Sequence, residues 1–182
     1  WHGAYGPGFT REKTLAALKW LKEKRFRIRA HCMVWPGWKY LQPWGESLRE
    51  DLPQLRKRIL DHIDEVAAFT RPYVDEWDVV NEPVHECEVI RSLGENAMIE
   101  WFTRARAALP DTCRLYINEY NIVEPGVFAK MERDKYDKVI GRLLAEKAPL
   151  EGIGFQSHFL DPPQSPVEVL EVFDRFARFG LP

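Results

Sequence analysis

What most constrains this chain is a fourfold alternation of short apolar strands and helical segments, with a chemically capable polar residue closing every strand. Arg27–Trp35, Val74–Val80, Arg114–Ile117 and Ile153–Phe155 read as strands. Between and around them, apolar residues recur at spacings of three and four, the period of a half-buried helix. Thr10 opens a helix carrying Leu15, Leu18 and Leu21, and Ser47 with Glu50 reads as a capping box ahead of Leu52, Leu55, Ile59, Ile63 and Val66. A helix over 96–108 is expected to bury Met98, Trp101, Phe102 and Ala105, and a later one carries Tyr136, Val139, Ile140, Leu143 and Leu144. Ser165, Pro166 and Glu168 make a strong helix start before Val169, Leu170, Phe173, Phe176 and Ala177, and Gly180 sits where a left-handed terminating residue belongs. Strands alternating with helices imply a parallel sheet with right-handed crossovers, hence an α/β fold.

The polar residues fall at the same end of each strand. They are His31 and Trp35, then Asn81 and Glu82, then Asn118, Glu119 and Tyr120, and last Gln156 and His158. In a parallel barrel these ends form one rim, where active sites are built. Solvated loops would not place chemically useful side chains at all four. Glu82 follows an apolar strand and precedes Pro83, which predicts a desolvated carboxyl suited to general acid/base work. Glu119 is read with equal weight as a surface charge.

Several classes are disfavoured. Lys and Arg total 26 against 28 Asp and Glu, a formal charge of -2, so the global positive field of a non-specific nucleic-acid binder is absent. No apolar run approaches the length of a membrane span. Cys32, Cys87 and Cys113 are far apart and odd in number, which suits buried thiols better than a disulfide framework or a CxxC knuckle. His85-Glu86-Cys87-Glu88 is not an HExxH helix, so neither a metal nor another cofactor is expected. No GxSxG is present, and Tyr5-Gly6-Pro7-Gly8 follows no strand and is not a phosphate loop. Seven tryptophans are several times ordinary usage, and Trp35, Trp38 and Trp44 fall in a Gly/Pro-punctuated stretch where flat rings suit sugar faces. Any one of them taken alone is more often core.

Trp77-Asp78-Val79-Val80-Asn81-Glu82-Pro83 closely resembles the acid/base motif of glycoside hydrolase family 10, the endo-β-1,4-xylanases. Arg29–Trp35 is similar to that family's third-strand segment, Leu115–Asn121 to its fifth and Gly152–His158 to its sixth. The resemblance implies a partial (β/α)8 TIM barrel, approximately strands 3 to 6 with flanking helices. Residues 1–182 are then a fragment of one catalytic domain lacking the first strand, most of the second, and the seventh and eighth. It implies a retaining enzyme that hydrolyses xylan by double displacement, with Glu82 as general acid/base. Asn81 would hold the 2-hydroxyl of the sugar at the cleavage point, and His31 the same sugar, with Trp35 an apolar wall beside it. Asn118 and Tyr120 would line the leaving-group side, while Gln156 and His158 would orient the nucleophile, a Glu lying beyond Pro182. The polysaccharide is the implied partner, the complete enzyme a monomer, and its place extracellular or periplasmic.

The chain departs from the family pattern at Pro36, where His is common, at Glu119, where Asp is common, and at Pro83, where Ala is common. These changes bear on substrate subsites more than on chemistry, and Glu119 matches no catalytic position. The start at Trp1, without Met or leader, reads as a piece of something longer. These 182 residues alone are expected to be marginally stable and to have little or no glycosidase activity. Two alternatives are a non-catalytic carbohydrate-binding relative that has lost the nucleophile, and a retaining glycosidase of a sister family acting on another β-glycan.

Overall fold

The computed structural model describes residues 10–41, 43–158 and 165–182. The expectation about Tyr5–Gly8 lies outside them. Helix α1 (Arg11–Glu23) begins where Thr10 accepts a hydrogen bond from the Lys13 amide. Strand β1 (Arg29–Val34) leads into a 3-10 turn, Trp38–Tyr40, and the short α2 (Pro43–Ser47). Then follow α3 (Leu52–Thr70), β2 (Glu76–Asn81), α4 (Glu88–Leu93), α5 (Ala97–Ala108), β3 (Arg114–Glu119), α6 (Val127–Ala145), β4 (Gly152–Phe155) and α7 (Pro166–Ala177).

The four strands form one sheet in chain order, every pair parallel. Asn81 lies opposite Asn118, and Glu119 opposite Phe155, so the strand ends stand in one row. Among the described residues β1 and β4 are the outer strands, and the Ile153 amide of β4 donates to the Pro182 carbonyl at 2.9 Å. Leu115, Ile117 and Val79 belong to one apolar cluster with Leu55, Ile59, Ile63, Trp101 and Phe102 of the helices. Leu55, Ile59, Ile63 and Val66 of α3 are all but fully buried, each worth about 1.5–3 kcal/mol against exposure. The opposite side of the sheet carries polar groups instead: Arg29 stacks over the Tyr116 ring at 4.0 Å and pairs with Asp78.

Two expectations about helices are corrected. Ser47 and Glu50 do not cap the long helix; Ser47 ends α2 and its hydroxyl donates to the Trp44 carbonyl. The cap is Asp51, which accepts from the Gln54 amide. Pro53 dictates this, because it has no N–H and a helix started at Ser47 would have placed it in the interior. In α7 the capping box of Ser165 and Glu168 forms as expected, and Gly180 takes φ +68°. Its buried stripe is shifted, however. Val172 and Phe176 turn inward and Leu170 is exposed on the far side, while Phe173, at the edge of the buried face, is 41% exposed and stacks on Phe155 at 5.5 Å. Helices α2 and α4 were not anticipated; both are too short to show a period.

Candidate active site

The rim at the C-terminal ends of the strands is organised around the carboxylate of Glu82, directly after β2. Its Oε2 accepts from the Trp35 indole Nε1 at 2.9 Å, and its Oε1 from the Gln156 amide Nε2 at 2.7 Å. A carboxylate at this site can only accept, which fixes Nε2 as the Gln156 atom facing it. The Gln156 oxygen is then free to accept from His158 Nε2 at 2.8 Å. Gln156 Nε2 also reaches Asn81 Oδ1 at 3.2 Å, and Asn118 Nδ2 donates to the same oxygen at 2.9 Å. Six of the eight residues expected to form the site, Trp35, Asn81, Glu82, Asn118, Gln156 and His158, are thus joined in one hydrogen-bonded chain.

Asn81 is fully buried and Glu82 is 7% exposed. The Asn81 Nδ2 is buried without a hydrogen-bond partner among the described residues. A buried amide donor left unmet costs about 1–3 kcal/mol, and such groups concentrate at functional sites. The backbone of Glu82 is held in the left-handed region at φ +54°, its amide donating to the Asn118 carbonyl and its carbonyl accepting from the Glu86 amide, both at 2.8 Å. For a residue with a long side chain this conformation is strained, and the two hydrogen bonds hold it.

His31, on β1, stands at the edge of this network, its ring 6.5 Å from that of Trp35. His31 Nδ1 lies 2.9 Å from Asp78 Oδ2, so the proton sits on Nδ1. Asp78 is itself gripped by Arg29 through two hydrogen bonds of 2.9 and 2.6 Å to Oδ1. Tyr120 is the one expected residue outside the hydrogen-bonded chain and without a ring contact to it; its ring instead stacks on His85 at 3.9 Å. Burial, and then the negative charges of Glu82, Glu119 and Glu86, push its phenol above the ordinary value.

Glu119 is completely buried and spends both oxygens on its surroundings. Oε1 accepts from His85 Nδ1 at 2.8 Å and from the Tyr120 amide at 2.9 Å; Oε2 accepts from the Val84 amide at 2.9 Å. Burial pushes its carboxyl up, against the pull of His85 and the two amides. With no oxygen left for substrate, it ties β3 to the loop after β2. The run His85-Glu86-Cys87-Glu88 diverges: His85 turns to Glu119, Glu86 pairs with Lys39 at 3.0 Å, and Glu88 accepts from the Trp38 amide. Among the described residues no group of three His, Cys, Asp or Glu could hold a metal ion.

Sequence reasoning missed Asp78, His85 as a packing partner, and Tyr40, whose ring stacks on Trp35 at 3.6 Å. Asp78 carried a visible signal, a carboxylate in the middle of an apolar strand. Tyr40 carried none.

The model of Glycosyl hydrolase family 10 matches residues 5–182. Endo-1,4-beta-xylanase B of Paenibacillus barcinonensis is 28% identical over 166 residues, which cover 85% of this chain and 48% of that protein. Endo-1,4-beta-xylanase A of Phanerodontia chrysosporium is 34% identical over 166 residues, covering 88% and 39%. The chain therefore spans less than half the length of these curated relatives. Among solved structures, a Thermobacillus composti GH10 xylanase superposes with a TM-score of 0.79 at 29% identity, over 95% of this chain and 51% of that one. Xylanase10C from Cellvibrio japonicus in complex with xylopentaose gives a TM-score of 0.81 over 99% and 37%; at 20% identity that likeness is one of fold. The sheet and its flanking helices are part of a (β/α)8 barrel.

Proposed function

The chain belongs to glycosyl hydrolase family 10, and from that premise we propose that the protein hydrolyses the β-1,4 bonds of xylan with retention of configuration. Glu82 is the general acid/base. It protonates the glycosidic oxygen as the bond breaks, then takes a proton from the water that resolves the glycosyl-enzyme intermediate. The single observation that carries this reading is the setting of its carboxylate, buried at a strand end with each oxygen met by one side-chain donor, Trp35 and Gln156. The unpartnered Asn81 Nδ2 supports a hydrogen bond to the 2-hydroxyl of the sugar at the cleavage point. His31, its proton fixed on Nδ1 by Asp78, serves the same sugar, with Trp35 as the wall. Asn118 and Tyr120 line the leaving-group side, and Gln156 and His158 orient the nucleophile.

Retention requires a second carboxylate about 5–5.5 Å from the first. Asp78 is occupied by Arg29 and His31, and Glu119 by His85 and two amides. By its resemblance to the family we assign the nucleophile to a Glu on a strand following α7, in a domain of which residues 1–182 supply barrel strands 3 to 6. The relatives, about twice as long or more, leave room for it. On this reading the 182 residues alone cleave little or nothing.

The test is Glu82→Ala in the full-length protein, assayed on xylan and on an aryl β-xylobioside with a good leaving group. Loss of general acid catalysis removes about 10²–10⁴-fold of xylan turnover. Bond cleavage in the aryl substrate is affected far less, and azide, which needs no general base, restores its turnover. Xylan hydrolysis within threefold of the parent would end this assignment.

A further inference from the structure

We propose that His85 is a positioning residue that fixes the leaving-group side of the cleft by bridging two carboxylates and carrying the Tyr120 ring on its face. The proposal rests on the reading of Tyr120 as a substrate-facing residue. His85 lies in the loop between β2 and α4, where three elements meet at its ring. Nδ1 is 2.8 Å from Glu119 Oε1 at the end of β3, and Nε2 is 3.4 Å from Glu132 Oε2 on α6. The ring face is stacked on Tyr120 at 3.9 Å between centroids and 26° between planes. Its side chain is 16% exposed, that of Glu132 14%, and that of Glu119 not at all.

A neutral imidazole has one N–H, which Glu119 takes; the Glu132 carboxylate beside the second nitrogen makes no hydrogen bond at 3.4 Å, and its negative charge there favours the doubly protonated ring. Burial alone would favour the neutral form, but the Glu119 hydrogen bond and the charges of Glu119, Glu132 and Glu82 prevail, leaving the pKa of His85 above its ordinary value. Those three carboxylates are the charged groups that face it. Lys135 sits on the far oxygen of Glu132 at 2.9 Å, and Glu86 acts on the Tyr120 side. A raised folded-state pKa gives a contribution that is complete below the unfolded value of about 6.5 and is lost as pH rises through the folded value. Above that point the Glu132 contact is no longer matched by a proton, α6 is untied from the loop, and Tyr120 loses its charged platform.

Glu119 is central because it also accepts from the Tyr120 amide. The same carboxylate oxygen therefore fixes the backbone of Tyr120 and the ring against which its side chain lies.

The experiment compares, in the full-length protein, KM for a xylo-oligosaccharide that places sugars on the leaving-group side with KM for an aryl β-xylobioside that places only its aryl group there, from pH 5.5 to 9. In the parent, the ratio of the two KM values is expected to rise about three- to tenfold across the range, the size of one weakened contact. In His85→Gln, which can donate to Glu119 but cannot carry charge, the ratio starts high and stays flat. A pH-dependent ratio retained in His85→Gln would overturn the proposal, as would a flat ratio in the parent. Independently of turnover, NMR of the parent chain should show the Tyr120 ring protons shifting with the same pH midpoint as the His85 ring; different midpoints would also overturn it. If the midpoints coincide and Tyr120→Ala leaves the oligosaccharide KM unchanged, the assignment of Tyr120 to the cleft is at fault and the positioning role stands.

Discussion

Gly154 of β4 faces Asn118 across the sheet, and a methyl group there has nowhere to go. A Cβ built on its backbone would lie 2.5 Å from Asn118 Oδ1, 2.5 Å from Arg29 Nη2 and 3.2 Å from the Asn118 Cβ. Of the two, Asn118 cannot yield, being held close to the backbone by its hydrogen bond to Asn81, whereas Arg29 meets the methyl with the far end of a long side chain. Overpacking a fixed site costs about 1–3 kcal/mol, and displacing the Asn118 amide adds about 1 kcal/mol for the bond to Asn81. The reduced freedom of an unfolded Ala chain returns about 0.4–1 kcal/mol. Gly154→Ala should therefore destabilise the chain by about 1–3.6 kcal/mol in urea unfolding, centred on about 2, the sum of these three terms. The cause can be isolated with Asn118→Ala. That change removes the close oxygen and keeps only the 3.2 Å Cβ contact and the flexible arginine tip, so Gly154→Ala in that background should cost about 1 kcal/mol or less. A coupling of at least about 1 kcal/mol between the two sites follows. Equal costs in both backgrounds, within about 0.5 kcal/mol, would refute the argument that Asn118 is what the methyl group strikes.

The three thiols should separate by reactivity. Burial, reinforced by the charges of Asp78 and Glu82, raises the Cys32 thiol well above its ordinary value, and burial lifts Cys113 to about 11, whereas Cys87 is only half-buried. A thiol reagent at pH 8 should titrate one fast group in the native protein and three after denaturation; two fast groups in the native state would contradict the burial. Tyr136, fully buried, donates to the Ile117 carbonyl at 3.0 Å and lies 3.2 Å from that of Gly154, tying α6 to the sheet. Tyr136→Phe keeps the ring contacts with Phe155 and Phe176 and should cost about 1–2 kcal/mol in unfolding experiments; a cost near zero would show that the hydroxyl is not needed there.

Most of the element order was legible in the sequence because long helices advertise a period and capped ends. Thr10, Ser165 and Glu168 were readable as caps for that reason, and Ser47 misled because a capping-box pattern is short and Pro53 was given too little weight. The site was legible where strand ends carry polar residues: Asn81 and Asn118 are register partners, and Glu82 and Gln156 follow directly on the ends of β2 and β4. What escaped notice depends on side chains meeting from different elements. Tyr40 reaches Trp35 only because the 3-10 turn folds back on β1, and His85 finds Glu119 and Glu132 only because a loop, a strand and a helix converge. No spacing within a single segment encodes such meetings.

The left-handed backbone at Glu82 sets stability and chemistry against each other at one position. Glycine would relieve about 1 kcal/mol or more of conformational strain there, yet it would abolish the carboxylate on which Trp35 and Gln156 converge. Substitution by glycine at this residue is thus set apart from other changes in a buried site, because it alone removes the backbone strain. A screen that selects for thermal resistance alone would favour inactive variants here, so an engineering programme on this barrel must hold position 82 fixed, or score turnover alongside melting, to avoid discarding the reaction in exchange for a sturdier shell.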